Sequence, residues 1–347
     1  MFESLGFESL TAPQAAVWFA IGLGIVFGAL AQITRFCLRR ALVGEDRRQA
    51  AGVWLTALAV AVLGTQAAVA LGWIGFADHR FMAADLPVLA IVAGGLMFGV
   101  GMILTRGCIS RLTVLSGSGN LRALMVLVIF AITAHAALKG VLAPVRTTLG
   151  SVTVGLESAA LPGHPLIWAG VIAALAFGFA LRSGNRATTL GLAALIGALA
   201  PLGWVGTGFV LYDDFDPVAM QSLSFTAPAA ESVFYTVAST AIPASFGTGL
   251  VGGVLIGALV AALLGGGFRW QSFETSAQTG RYFAGAVLMG LGGVLAGGCT
   301  VGAGLSGIPT LSIAAILAIG SIVAGGLLAD RALRPARQRM TGVQPAE

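Results

Sequence analysis

Long apolar stretches recur along the whole chain and limit what it can fold into. Nine of them, each about twenty residues long, are enough to cross the hydrocarbon core of a bilayer as helices. They lie at residues 15–34, 51–72, 87–105, 123–143, 165–181, 188–205, 246–266, 282–296 and 312–329. With 57% apolar and only 10% charged residues, the composition excludes a soluble globular fold. Because the stretches are continuous and do not alternate, they also exclude a transmembrane β-barrel. The sequence predicts an all-α polytopic membrane protein with about nine transmembrane helices.

Arginine residues are concentrated in alternate loops. Clusters follow the first, third, fifth, seventh and ninth stretches, whereas residues 206–245 contain no Lys or Arg. The positive-inside rule then predicts an N-terminus outside the cell and a cytoplasmic C-terminal tail at residues 331–347. No basic segment precedes the first stretch, so no cleaved signal peptide is expected. The net charge of +5 reflects this loop bias and does not indicate nucleic-acid binding.

The chain has three cysteines, and each of them lies at the same position of a similar glycine-rich segment. Each cysteine lies nine residues after a glycine that follows Phe or Met. The pairs are Gly28 and Cys37, Gly99 and Cys108, and Gly290 and Cys299. An odd number of cysteines cannot form a complete disulfide framework, so free thiols are expected. Buried cysteine often serves only as a small apolar side chain. The shared spacing favours a functional role.

The segments before the last two cysteines are copies of each other. Their glycines align without a gap, as at Gly94 and Gly285 and at Gly101 and Gly292. By the count of nine spans, the copies cross the membrane in opposite directions, as in inverted-repeat transporters. This predicts a single membrane transport domain over residues 1–347, with pseudo-two-fold halves at about 15–145 and 165–330. A weaker copy begins at Phe177 and places Ala187 where a cysteine would fall.

The segments after the cysteines favour anion binding. Small residues there expose backbone N–H groups, and a helix that begins there directs its positive dipole end at a ligand. Such glycine-rich segments can be short re-entrant helices that turn back inside the membrane. A thiol is a polarizable surface that suits an anion with a terminal sulfur. Nearby arginines, including Arg39 and Arg111, either attract anions or only set topology. The candidate substrate-binding residues are Cys37, Cys108, Cys299, Gly107, Gly298, Gly302, Gly304, Arg35 and Arg106.

Other polar residues give weaker indications. His135 lies inside the fourth stretch, where it could carry a proton or simply form a hydrogen bond between helices. Glu274, Gln278 and Arg281 share one helical face and are expected to form a solvated surface. The sequence has no Walker loop, His-Glu-x-x-His or Cys-x-x-Cys motif, so neither a cofactor, a bound metal nor an enzymatic activity is expected. The alternatives are a thiol-dependent sulfurtransferase that forms a persulfide and a soft-metal transporter.

The segment Gly285–Leu311, with its Gly-Gly-Cys-Thr-Val-Gly-Ala-Gly core, resembles the signature of YeeE/YedE sulfur transporters, and Gly94–Gly119 resembles the partner motif. The resemblance implies uptake of thiosulfate across the bacterial inner membrane, with Cys37, Cys108 and Cys299 relaying the anion through S–H···S contacts. It also implies cooperation with a cytoplasmic sulfur carrier of the TusA type, here expected as a separate protein. Two departures stand out. Thr105-Arg106 replaces a glycine pair, which could change the ion preference, and some relatives are associated with selenium.

Overall fold

The chain folds almost entirely into helices. A computed structural model describes the backbone of residues 10–341 and the side chains of residues 10–333. The helices are α1 (Ala12–Thr34), α2 (Leu38–Val43), α3 (Arg47–Ala70), α4 (Val88–Leu104), α5 (Ile109–Gly117), α6 (Leu121–Lys139), α7 (Ala143–Gly150), α8 (Pro165–Leu181), α9 (Ala187–Val205), α10 (Thr226–Ala238), α11 (Phe246–Leu264), α12 (Ser276–Leu295) and α13 (Ile313–Thr341). Two segments are π-helical: Gly206–Val210, which continues α9, and Thr300–Gly307, which lies between α12 and α13.

Little else of the described chain is regular. Two 3₁₀ turns, Arg80–Met82 and Ile308–Thr310, lie in connecting segments. Two short strands, β1 (Asp85–Leu86) and β2 (Val154–Gly155), pair antiparallel with Asp85 opposite Gly155. These short elements belong to the connections between the helices.

The nine apolar stretches correspond to nine of these helices, which are α1, α3, α4, α6, α8, α9, α11, α12 and α13. Among the described residues, eight helical segments have the length and hydropathy of a membrane span, and α8 is apolar but has 17 residues. The prediction of an all-α polytopic membrane protein is confirmed. The sequence also predicts on which side of the membrane the two ends of the chain lie. Residues 1–9 and 342–347 at these ends lie outside the described part.

Large apolar side chains remain exposed on the outer faces of the long helices. Leu175 is 71% exposed, Leu264 85% and Phe283 53%. A water-soluble protein seldom leaves so many large apolar groups uncovered on helix faces. Lipid is therefore the solvent that these faces require.

Glycines let α1 and α11 pack backbone to backbone. A Cβ added at Gly24 would lie 2.9 Å from the Val254 nitrogen, and one at Gly249 would lie 2.5 Å from the Val17 carbonyl oxygen. Close approach through small residues is a main source of helix association in lipid. The close contact with α11 sets the position of α1 and therefore of the Cys37 segment that follows it.

The pair α4 and α12 crosses in a reciprocal manner. Gly94 lies against Gly292, and Gly101 lies against Gly285. A Cβ added to any of the four would lie 2.5–2.9 Å from the partner's carbonyl oxygen. Since the sequence alignment equates Gly94 with Gly285 and Gly101 with Gly292, each contact is the counterpart of the other. The two helices therefore run antiparallel.

Candidate functional site

The three cysteine segments share one backbone geometry. A residue in the left-handed conformation lies two positions before each cysteine, with φ of 54° at Arg35, 60° at Arg106 and 74° at Gly297. Glycine adopts this conformation without strain, whereas an arginine in it costs about 1–3 kcal/mol. The chain thus ends one helix and turns sharply before the next. Each cysteine is the N-cap of the short helix that follows, namely α2, α5 and the π-helical turn Thr300–Gly307.

The weaker fourth copy differs from its predicted alignment by one residue. Its left-handed residue is Gly184, and the N-cap of the next helix is Arg186. Ala187, which the alignment placed opposite the cysteines, is instead the first residue of α9. Helix α8 ends three residues after Gly178, whereas α4 and α12 end five residues after Gly99 and Gly290. The turn after α8 is only one residue longer, so the N-cap falls one position earlier.

The three thiols lie in one buried cluster. Cys37 is 7% exposed, Cys108 1% and Cys299 0%, and all three belong to the main core. The Cys37 and Cys108 thiols lie within hydrogen-bonding reach of each other, and Cys108 is also near Cys299. Cys108 Sγ shares a hydrogen bond of 3.3 Å with Ser110 Oγ. The Thr300 hydroxyl also lies beside Cys108.

Backbone amides surround the Cys299 sulfur. Gly302 N–H donates to Cys299 Sγ at 3.3 Å. The amide of Phe225, at the start of α10, faces the same sulfur. Two helical N-termini therefore converge on this thiol and give its surroundings a positive potential. A partial negative charge placed here would be stabilised without a formal cation.

A cavity of about 530 Å³ leads toward Cys299 from the segments before α4 and α10. Its wall includes Arg80, Ser224, Gly302 and Ser306. The Arg80 guanidinium lies close enough to Cys299 to interact with it electrostatically, and it stacks 5.1 Å from the centre of the Phe81 ring. Arg80 was not selected from the sequence. The signal that could have found it is the Asp78-His79-Arg80 run, a rare charged group within an apolar chain.

The candidate glycines have different surroundings. Gly302 lines the cavity, and a Cβ there would lie 2.8 Å from Ser224 Oγ. A Cβ at Gly304 would meet the Trp54 ring at 2.9 Å. Those at Gly107 and Gly298 would lie 3.2 Å and 3.0 Å from atoms within their own short helices. Gly302 is thus placed to contact a ligand, and the other three permit close packing around the cysteines.

The arginines are divided between surface and interior. Arg35 and Arg106, the two selected from the sequence, are exposed in their left-handed turns. Arg111 is half-buried and donates to the Ala31 carbonyl oxygen at 3.0 Å. It also lies within electrostatic range of both Cys37 and Cys108. Arg111 is therefore a cation that acts on both thiols, and its position in the sequence did not distinguish it from the neighbouring arginines.

Two other predictions concerned polar residues away from the thiols. His135 stacks on Phe234 with ring centroids 4.6 Å apart and lines a second cavity of about 260 Å³. Glu274 pairs with Arg122 at 3.6 Å, and its side chain is 80% exposed. Glu274 is thus solvated as expected, whereas Gln278 and Arg281 are half-buried.

His79 gives a pH dependence to the stability of the cavity wall. Burial, and then the charge of Arg80, lower the pKa of His79 to about 4 from its ordinary 6.5. The unfolded chain therefore binds a proton between these values and the folded chain does not, so the free energy of unfolding falls as the pH falls from about 6.5 to 4. We expect a loss of about 1–2 kcal/mol for this partly screened group. Thermal unfolding in detergent at pH 4 to 7 should show this loss of stability, and the His79→Gln variant should lack the part of the pH dependence that comes from His79. An unchanged pH slope in the variant would contradict the assignment.

Known proteins resemble this chain over most of its length. The chain is 26% identical over 327 residues to the thiosulfate transporter TsuA of Spirochaeta thermophila, covering 87% of this chain and 94% of that protein. It is 26% identical over 314 residues to TsuA of Escherichia coli, covering 81% and 84%. A family model described as sulphur transport matches residues 33–328, a range that contains all three cysteines. The chain therefore belongs to the sulphur transport family, the YeeE/YedE group whose motifs its cysteine segments resemble.

Proposed function

We propose that this protein is an inner-membrane permease that imports thiosulfate or a related sulfur-containing anion past its three thiols. The observation that supports this most directly is the placement of Cys37, Cys108 and Cys299 in one buried cluster with a cation at each end. Arg80 lies beside Cys299, and Arg111 lies beside the other two. A thiosulfate dianion carries its charge on oxygen and on a soft terminal sulfur, so it matches both the cations and the thiols.

The anion moves in the order in which these groups lie. It enters the cavity beside Arg80 and reaches the amides of Phe225 and Gly302 around Cys299. It then passes from Cys299 to Cys108 and on to Cys37. Thiols are weak S–H donors, so each contact holds the ion only briefly. Weak binding at several adjacent sites is what permits release as well as capture.

The orientation and symmetry of the permease follow the same proposal. The reciprocal glycine contacts between the antiparallel helices α4 and α12 support an inverted repeat with halves at about 15–145 and 165–330. With the N-terminus outside and the C-terminus cytoplasmic, Arg80 faces the outside and Arg111 the inside. A dianion imported against an inside-negative potential then costs about 4.6 kcal/mol at 100 mV. A coupled ion or rapid cytoplasmic consumption must offset that cost.

The partners are the sulfur-containing anion, membrane lipid and a separate TusA-type sulfur carrier in the cytoplasm. The carrier would accept sulfur near the arginine-rich loops after α1 and α4. No nucleic acid, cofactor or enzymatic step is part of this proposal.

Uptake by purified protein in lipid vesicles tests the function. We expect isotope-labelled thiosulfate to accumulate, with sulfate competing weakly because it lacks a soft sulfur. Stronger competition by selenite or by a soft metal ion would indicate one of those cargoes. Mass spectrometry of the cysteines after substrate exposure separates a permease from a sulfurtransferase, since a persulfide adduct would indicate group transfer. Vesicles that bind or transport no thiosulfate would refute the proposal.

A further inference from the structure

A carboxyl group lies in the wall of the cavity that we assign to an anion. Glu231, on α10, lines the 530 Å³ cavity together with Arg80 and Gly302. Its Oε2 accepts a hydrogen bond from Ser245 Oγ at 2.7 Å, and the side chain is half-buried. A carboxylate here repels a dianion, and the effect is strong where water is partly excluded. A site that only had to hold anions would be weakened by this group.

Glu231 also lines the second cavity. That cavity, about 260 Å³ in volume, is bounded by α6, α10 and the segment before α11 and contains His135. Two separate cavities therefore reach the same carboxyl. Among the residues that the structure describes, Glu231 is the only one that lines both cavities.

The other charged and titratable groups around Glu231 are divided between the two cavities. Asp78, His79 and Arg80 face the first, and His135, Lys139 and Tyr235 face the second. Burial beside Arg80 lowers the pKa of His79 to about 4, so this side chain stays neutral near pH 7. Asp78 is exposed at the mouth. The half-buried carboxyl of Glu231 is therefore the acidic group whose charge most affects an anion inside the first cavity.

Helix α10 connects this carboxyl to the thiols. Its N-terminal amide at Phe225 faces the Cys299 sulfur, Glu231 follows after about a turn and a half, and Phe234 stacks on His135. The anion site, the carboxyl and the second cavity therefore lie along one short rigid element. A change of charge at Glu231 acts directly on the space in front of Cys299.

We propose that Glu231 is the proton-binding site that couples anion import to proton import. The inference rests on the proposed function and names the coupling ion that it leaves open. Protonation of the carboxylate removes the negative charge from the cavity wall, so the proton and the dianion each strengthen the binding of the other. The proton binds to Glu231 from the outside with the anion and is released toward the cytoplasm after the anion has moved on, which reduces the net charge carried inward from −2 to −1.

Binding measurements on the purified full-length protein test this coupling. Thiosulfate binding to the wild type should take up protons, measured by calorimetry in buffers of different ionisation enthalpy. The Kd should weaken as the pH rises, by up to about tenfold per pH unit. Glu231→Gln, which retains an acceptor for Ser245, should bind thiosulfate with a Kd that no longer changes with pH. Binding without proton uptake by the wild type would overturn the proposal even if the variant did not fold.

Transport measurements complete the test. In vesicles, an inward proton gradient should drive thiosulfate accumulation by the wild type but not by Glu231→Gln, which should still exchange labelled for unlabelled thiosulfate. Glu274→Gln removes a carboxyl that lines neither cavity, so it should retain the proton-driven uptake. Proton-driven uptake by Glu231→Gln equal to the wild type would overturn the coupling role alone. Absence of thiosulfate exchange by the wild type would instead refute the proposed function, and the coupling role with it.

Discussion

Replacement of Cys108 by alanine is expected to reduce thiosulfate uptake by about a hundredfold or more while the protein still folds, a change that corresponds to about 3 kcal/mol of barrier. Cys108 is the middle thiol, within hydrogen-bonding reach of Cys37 and near Cys299. Removal of its sulfur leaves the anion without a partner between the other two. The cavity that results costs only about 1 kcal/mol of stability, since a single atom is deleted. Uptake by vesicles, normalised to folded protein, gives the comparison.

Two control variants separate the chemistry of the thiol from its volume. Cys108→Ser keeps a hydroxyl that can pair with Ser110, but it lacks a polarizable sulfur, so its uptake should stay below about a tenth of the wild type. Met102→Leu removes a different buried sulfur from the same core at nearly constant volume and should transport normally. Wild-type uptake by either Cys108 variant would refute the relay.

The sequence predicts the long helices well because the bilayer imposes a simple rule. A span must be apolar and about twenty residues long, so each helix is visible as a continuous stretch. The same holds for the cysteine segments, whose constant spacing from a glycine corresponds to a constant turn and an N-cap thiol. The fourth copy departs from this rule, because α8 ends sooner after its glycine than the other helices do, and the alignment by Gly178 could not detect the difference.

The charged part of the site could not be predicted from adjacency. Arg35 and Arg106 are next to the cysteines in sequence, but their left-handed turns leave their side chains exposed. Arg111 reaches the thiols because it lies one helical turn after Cys108 on the inward face of α5. Arg80 comes from a connecting segment distant in sequence, and only tertiary packing brings it to Cys299. Helical periodicity indicates which side chains of a helix share a face, but it does not indicate where the side chains of a connecting segment lie.

Neighbouring glycines on α11 should respond very differently to one added methyl group. A Cβ at Gly253 would meet the Ile21 carbonyl oxygen and would lie 3.0 Å from two further backbone atoms of Ile21. Backbone cannot move aside as a flexible side chain can, so α1 and α11 must separate. We expect Gly253→Ala to lower the free energy of unfolding by about 1–3 kcal/mol, and Gly253→Val by more. Thermal unfolding in detergent measures the change.

Gly252 provides the matched control from the adjacent position. A Cβ there would meet no heavy atom within 4 Å among the residues that the structure describes. Gly252→Ala should therefore leave stability unchanged or raise it by up to about 1 kcal/mol, because alanine favours the helix. Equal losses from both alanine variants would mean that helix propensity, and not the contact with α1, determines the effect.

The same pair of variants links packing to transport. Helix α1 ends at the turn that places Cys37 as an N-cap beside Cys108. If α1 moves away from α11, the two thiols no longer lie within reach of each other, and the anion loses its last step. Uptake by Gly253→Ala should fall even at temperatures where the protein remains folded, whereas Gly252→Ala should transport normally. A close crossing between two lipid-embedded helices would then be as necessary to the path as the sulfur atoms themselves.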